Sequence, residues 1–273
     1  MIVQYRTRLM GTLAHIGKVA MIALPNFQLI RNDVQKQRTK EDIAVFKRLI
    51  ALTLFLMTLS STALATVEKG FTMYHGTREE KRLCITVDDL KDIEMVQAIF
   101  ELGQQLNVPM TFFALGYVIE EKDAEVWRAI AASNCEIGNH TYAHQSLPMM
   151  GHINIIQSLQ RVQDQLDEVL GYHYPMRVMR PPYGNITVNG SSSYVANAVD
   201  AAGYEHMVLW DVSQTNPEKC LKKVKNGSIL LFHSIPKDLA CLEILLPQLI
   251  EQGYEFVTVS EMAELSKGAE TIK

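Results

Sequence analysis

The chain reads as an α/β protein with a parallel sheet, built as one domain that is either an open sheet or a barrel. Three observations predict this. Short apolar runs alternate with longer amphipathic stretches through about 200 residues, the pattern of strand–helix units in an α/β fold. The runs are continuously apolar rather than alternating, as strands buried on both faces are. No Gly/Ser-rich linker and no internal repeat interrupts the alternation.

The elements follow in order. Leu83–Val87 is the first predicted strand, and it stops abruptly at two adjacent carboxylates, Asp88 and Asp89. Further strands are predicted at Thr111–Leu115, Glu136–Gly138, Val178–Arg180, Met207–Trp210, Ser228–Phe232 and Glu255–Thr258. Helices are predicted at Ile93–Leu106, Ala124–Ala132, Ile153–Leu170, Tyr194–Ala202 and Leu239–Gln252. In the third of these, Ile156, Leu159, Val162, Leu166 and Leu170 recur at helical spacing, and Gly171 then stops the helix.

Hydrophobic residues make up 48% of the 273, enough for a full core. The net charge of -4 hides an asymmetry. Residues 1–65 hold 9 of the 26 Lys+Arg and 3 of the 30 Asp+Glu, which leaves 17 basic against 27 acidic residues in 66–273. An acidic body without basic clusters argues against a nucleic-acid partner.

Residues 45–65 read as a secretory signal. Lys47 and Arg48 give a positive start, Leu49 to Leu59 an apolar run, and Ala63-Leu64-Ala65 the small-x-small pattern that precedes cleavage. The apolar run is too short to span a bilayer comfortably, so no stable span is expected after cleavage. An exported protein, periplasmic or secreted, beginning near Thr66 is therefore predicted. Residues 1–44 show no motif and are read as an extension that is either untranslated in the cell or without fixed structure.

Cys84, Cys135, Cys220 and Cys241 all fall in 66–273, and an oxidising compartment permits disulfides. Cys84 and Cys135 read as buried thiols. Cys220 and Cys241 flank one predicted strand and are candidates to pair.

In parallel α/β folds the site is built at the C-terminal ends of strands. The first strand ends in Asp88-Asp89. Such a pair is often only a turn or a helix cap. The third runs into EIGNHTYAH, which places His140 and His144 at i and i+4, where both can ligate one metal. A carboxylate from the first strand would complete a His₂Asp set with open positions, a catalytic rather than a structural arrangement. The fourth strand ends in RPPYG, Arg180 to Gly184, a rigid turn presenting Arg180 and a backbone N–H. The fifth ends in Trp210-Asp211 and the sixth in LLFH, with His233 at the rim.

Taken together and in this order, these segments resemble the polysaccharide deacetylase family, carbohydrate esterase family 4. Thr86-Val87-Asp88-Asp89-Leu90 resembles its T-F-D-D-G motif. His140-Thr141-Tyr142-Ala143-His144 is similar to H-[ST]-x-x-H, Arg180-Pro181-Pro182-Tyr183-Gly184 to R-x-P-Y-G, and Leu231-Phe232-His233 to L-x-H. The resemblance covers roughly residues 80–262 and implies a distorted (β/α)₇ barrel as a single catalytic domain over 66–273.

It also implies roles. Asp88 would be the general base, with Arg180 orienting it. Asp89, His140 and His144 would hold a divalent metal, with zinc favoured and cobalt or nickel compatible with the same donors. The Tyr183 N–H would help hold the oxyanion, and His233 would be the general acid. Leu90 stands where the motif has glycine, which implies a different path for the loop. The motif D-x-x-[DS]-W has no clean match, and Asp211 or Ser213 is expected as partner to His233.

The expected activity is metal-dependent removal of N- or O-acetyl groups from an exported glycan. The alternatives are hydrolysis of another non-peptide amide on the same barrel, or glycan binding without catalysis.

Overall fold

The computed structural model describes residues 71–271. The expectations for residues 1–44 and 45–65 fall outside this span. Eight strands form one sheet: β1 (Thr72–Met73), β2 (Arg82–Asp89), β3 (Met110–Ala114), β4 (Glu136–Asn139), β5 (Val178–Met179), β6 (His206–Val208), β7 (Ile229–His233) and β8 (Glu255–Phe256). The order is β1-β6-β5-β4-β3-β2-β7, with β8 also on β2, and every strand pairing is parallel.

Among the described residues seven α-helices accompany the strands: α1 (Ile93–Leu106), α2 (Ala124–Ala131), α3 (His152–Leu170), α4 (Ser193–Ala201), α5 (Pro217–Lys223), α6 (Pro236–Glu251) and α7 (Val259–Thr271). Among the described residues no helix is long and apolar enough to cross a membrane.

The sheet curls until its two edges meet, and isolated bridges join them. Val212, after β6, pairs in parallel with Leu230; His75, after β1, pairs antiparallel with Ser228. Asp211 supports this seam. Its carboxylate accepts from Arg78 (2.8 Å), from the Ser228 hydroxyl (2.9 Å) and from the Ile229 N–H (2.9 Å). Gly227, at φ 71°, has no room for a side chain, since a Cβ would meet the Thr77 carbonyl at 2.2 Å. The result is the distorted (β/α)₇ barrel that the family resemblance implies.

Strand periodicity explains the two faces. In β2, Leu83, Ile85 and Val87 belong to the large cluster that meets the helices, whereas Cys84 lies in a smaller inner cluster with Phe113, Val178, Val208 and Ile229. Thr86 and Asp88 continue the inner row. Val259, Met262 and Ala263 of α7 also join the inner cluster, so this helix plugs the barrel interior. Its first turn is fixed at the N-terminal edge of the sheet, where Thr111 accepts from the Val259 N–H (3.0 Å) and Glu136 from the Ser260 N–H (3.2 Å).

Some expectations shift. The two-residue β1, α5 and α7 lie outside the predicted elements. The buried face of α3 runs through Ile155, Leu159, Val162 and Leu166, with Ile156 at its margin. All four cysteines are buried free thiols, so Cys220 and Cys241 are unpaired here. Burial pushes the Cys220 thiol up to about 12 and that of Cys241 to about 11.

Candidate active site

The C-terminal edge of the sheet gathers the predicted residues other than Asp211. Asp88 is opposite Phe113 and His233, and Asp89 is opposite Ala114. Ala114 in turn is opposite Asn139, which leads directly into His140.

Asp88 and Asp89 would point to opposite faces if the strand ran on. It does not: Asp89 takes φ 70° and Leu90 φ 60°. This left-handed turn swings the second carboxylate toward the pocket of the first. The capping role that Asp so often fills at strand ends falls instead to Asp92, whose side chain accepts from the Met95 N–H at 3.2 Å and starts α1. Leu90 stands where the family motif has glycine. It adopts the backbone region that favours glycine and buries its side chain to 1% exposure.

Left-handed backbone is concentrated here. Among the described residues the non-glycine cases are Asp89, Leu90, Thr141, His144, Tyr183, Asn107 and Asn189. The first five flank the site. The last two are asparagines, which tolerate that region well. Strain of this kind gathers where surrounding structure holds a functional geometry.

Asp88 is 3% exposed and is held by Arg180, whose Nη1 donates to Oδ1 at 2.7 Å. Arg180 is fully buried. It also donates to the Thr86 hydroxyl and to the Val208 and Leu209 carbonyls, and its guanidinium stacks 4.3 Å from the Phe113 ring. Burial pushes its pKa down, and Asp88 opposes the shift.

Asp89, His140 and His144 converge. Asp89 Oδ1 lies 3.5 Å from His140 Nε2 and 3.3 Å from His144 Nε2. The other oxygen, Oδ2, accepts from Lys91 at 3.0 Å. Burial raises the Asp89 carboxyl, but the Lys91 hydrogen bond and the two imidazoles outweigh it and hold the group below its usual value. Burial lowers both His140 and His144, which favours neutral rings.

The donors fit a divalent metal. Asp89 Oδ1 is buried and has no hydrogen-bond partner. His140 Nδ1 faces the Arg180 carbonyl at 2.8 Å, which places the proton on Nδ1 and leaves the Nε2 lone pair facing Asp89.

Tyr183 has φ 62°, and its ring meets that of His144 edge-on at 4.5 Å. The neighbouring Gly184 (φ 64°) lies against Trp210, and a Cβ there would approach the indole to 2.9 Å. His233 stands across the pair of strands from Asp88, with its side chain 42% exposed. Asp238 raises its pKa, and Asp88 and Asp89 add to this against the effect of burial.

The structure does not bring Asp211 to His233, because Asp211 is engaged at the seam with Arg78, Ser228 and Ile229. The carboxylate beside His233 is that of Asp238, in the first turn of α6. Sequence reasoning missed it. The available signal was an acidic residue five positions after the rim histidine, just past Pro236.

Comparison with known proteins agrees with this geometry. The polysaccharide deacetylase family model matches residues 75–207. A peptidoglycan-N-acetylglucosamine deacetylase of Bacillus cereus is 29% identical over 220 residues, 76% of this chain and 78% of that protein. Another from the same organism is 30% identical over 212 residues, 71% of this chain and 93% of that one. Other relatives are longer, and the chain spans 39% of one from Listeria monocytogenes. The fold is similar to that of a CE4 family pseudoenzyme from Bacillus anthracis, with a TM-score of 0.64 at 22% identity over 72% of this chain and 70% of that one. With the predicted motifs gathered at one edge of a curled parallel barrel, and with a 30% identical relative covered almost end to end, the chain belongs to the polysaccharide deacetylase family and is a hydrolase of that family.

Proposed function

We propose that this protein is a metal-dependent deacetylase that removes acetyl groups from an extracytoplasmic glycan, with peptidoglycan amino sugars as the first candidate. One observation carries the reading. Three donor atoms, Asp89 Oδ1, His140 Nε2 and His144 Nε2, face one another beside the Arg180-held Asp88 and across from His233. The named activity of the Bacillus cereus relatives supports it.

Asp89, His140 and His144 would hold the ion, most suitably zinc. When bound, a divalent metal lowers the pKa of water and polarises the acetyl carbonyl. Asp88 accepts the proton of the attacking water through the oxygen that Arg180 leaves free. Arg180 also balances the second negative charge, so the adjacent carboxylates are not left to repel. The Tyr183 N–H donates to the developing oxyanion. His233 hands its proton to the departing sugar nitrogen, or oxygen, as the bond to the acetyl carbon breaks. The products are acetate and the free amine or hydroxyl.

Export through the signal at 45–65 would bring the enzyme to such a polymer. N-terminal sequencing of exported protein is expected to start near Thr66. Acetate release from peptidoglycan, chitin oligomers and acetylated xylan, with and without chelator, tests the activity. Release that chelation stops supports the proposal. Tight glycan binding without release sinks it in favour of a binding domain, and release indifferent to chelator removes the metal.

A further inference from the structure

A general acid needs more than a raised pKa. Its imidazole must keep one nitrogen aimed at the leaving group, and the other nitrogen needs a partner that fixes ring and tautomer. Of the two residues that sequence reasoning offers for this task, Asp211 and Ser213, the first is engaged elsewhere. Its Oδ2 accepts from Arg78 and Ser228, and its Oδ1 from the Ile229 N–H.

Asp238 is differently placed. It is fully buried. Its Oδ2 accepts from the His233 backbone N–H at 2.7 Å and lies 3.7 Å from His233 Nδ1. Its Oδ1 is buried with no hydrogen-bond partner. The Asp238 N–H donates to the Ile235 carbonyl at 3.0 Å, so the backbone carrying this carboxylate is itself pinned. A carboxylate sunk below the rim, with one oxygen unsatisfied and a half-exposed imidazole beside it, is poised for a short ring rotation. Such contacts commonly tighten only when substrate is bound. The other titratable groups around His233 are Asp88 and Asp89 from β2 and His144 from the loop after β4.

We propose that Asp238 is the positioning residue of His233, accepting its Nδ1–H so that Nε2 faces Asp88 and the scissile bond. This rests on the reading of His233 as general acid. After proton transfer the ring is left as the Nδ1–H tautomer, the form Asp238 stabilises. The residue acts through His233 and does not touch substrate.

Ring-nitrogen NMR of the metal-loaded, full-length protein tests the proposal without any variant. Above the pKa of His233, the Nδ1–H tautomer is expected to dominate. A dominant Nε2–H tautomer overturns the proposal even if Asp238 variants fail to fold. In Asp238→Asn, which keeps an oxygen for the His233 N–H, tautomer selection is expected to be lost. There kcat should fall by no more than the roughly 10²–10⁴ of removing the acid, with KM unchanged. Asp211→Asn is expected to leave the His233 ring signals in place.

A double-mutant cycle adds a readout that a merely structural role would not move. In a His233→Ala background, Asp238→Asn should cost nothing further in kcat/KM. Additive losses would show that Asp238 only braces the helix start. Because the tautomer measurement needs no turnover, a chain that releases no acetate overturns the deacetylase reading and leaves this test standing.

Discussion

Asp88 and Asp89 are chemically identical neighbours that the backbone sends to different tasks. Asp88 Oδ1 is tied to Arg180, and Asp89 Oδ1 is left for His140 and His144. Their amide variants should therefore split. Asp89→Asn is expected to be metal-poor by elemental analysis after dialysis. Asp88→Asn should stay metal-replete and lose roughly 10²–10⁴ in rate. Equal metal content and equal residual rates would mean the roles are misassigned. Leu90 offers a test of strain. An ordinary buried Leu→Ala change costs about 2–5 kcal/mol, and the left-handed conformation costs an L-residue roughly 1–2 kcal/mol. Glycine usually destabilises more than alanine, but at φ 60° the order should invert. Denaturant unfolding of Leu90→Gly and Leu90→Ala decides it: Gly is expected to be the milder change, by about 1 kcal/mol.

At the scale of elements, most of the site was legible for a physical reason. Buried parallel strands announce themselves as apolar runs, and the fold places chemistry at their C-terminal ends. Locating where each run stops therefore put Asp88, His140, Arg180 and His233 on a short list of positions, and the roles proposed for them came from the family resemblance. What failed depended on contacts across the fold. Asp211 follows a strand as predicted, but the curl of the sheet carries it to the seam, where Arg78 and β7 claim it. Asp238 sits in a helix first turn, where acidic residues are ordinary, and only the docking of α6 turns it toward His233. A two-residue strand such as β1 has no period to detect, and α7 hides because part of it plugs the barrel interior. The seam role of Asp211 has its own consequence. Asp211→Asn should lower stability by about 1–2 kcal/mol, read from the denaturant midpoint. A shift in the pH–rate profile instead of in stability would return it to the active site.

For the whole molecule, the site's charges set a pH window. Burial lowers His140 and His144, so both rings stay neutral to a lower pH than free imidazole. Asp238 raises His233, so this ring, the general acid of the proposed reading, keeps its proton to a higher pH. kcat/KM is thus expected to rise as the ligand imidazoles lose their protons and to fall as His233 loses its own. The plateau should bracket the ordinary histidine value of about 6.5. Removing the Asp238 charge lowers the His233 pKa, so the alkaline limb of Asp238→Asn should move to lower pH. An unmoved alkaline limb would show that His233 is not the titrating acid.

The closure of the ring by two isolated bridges has a consequence for motion. A ladder between long strands opens only by cooperative loss of many bonds, whereas a seam of single bridges can part while the rest of the sheet stays whole. Native-state amide hydrogen exchange should show it. The Leu231 N–H on Val212 and the Gly76 N–H on Gly227, both 2.8 Å bonds, are expected to exchange through sub-global opening. Amides at the centre of the β2–β3 ladder should exchange only through global unfolding. Equal protection at seam and ladder would show that the ring opens as one unit. His233 ends β7, one lip of this seam, so on the proposed reading the general acid sits beside the joint expected to open first.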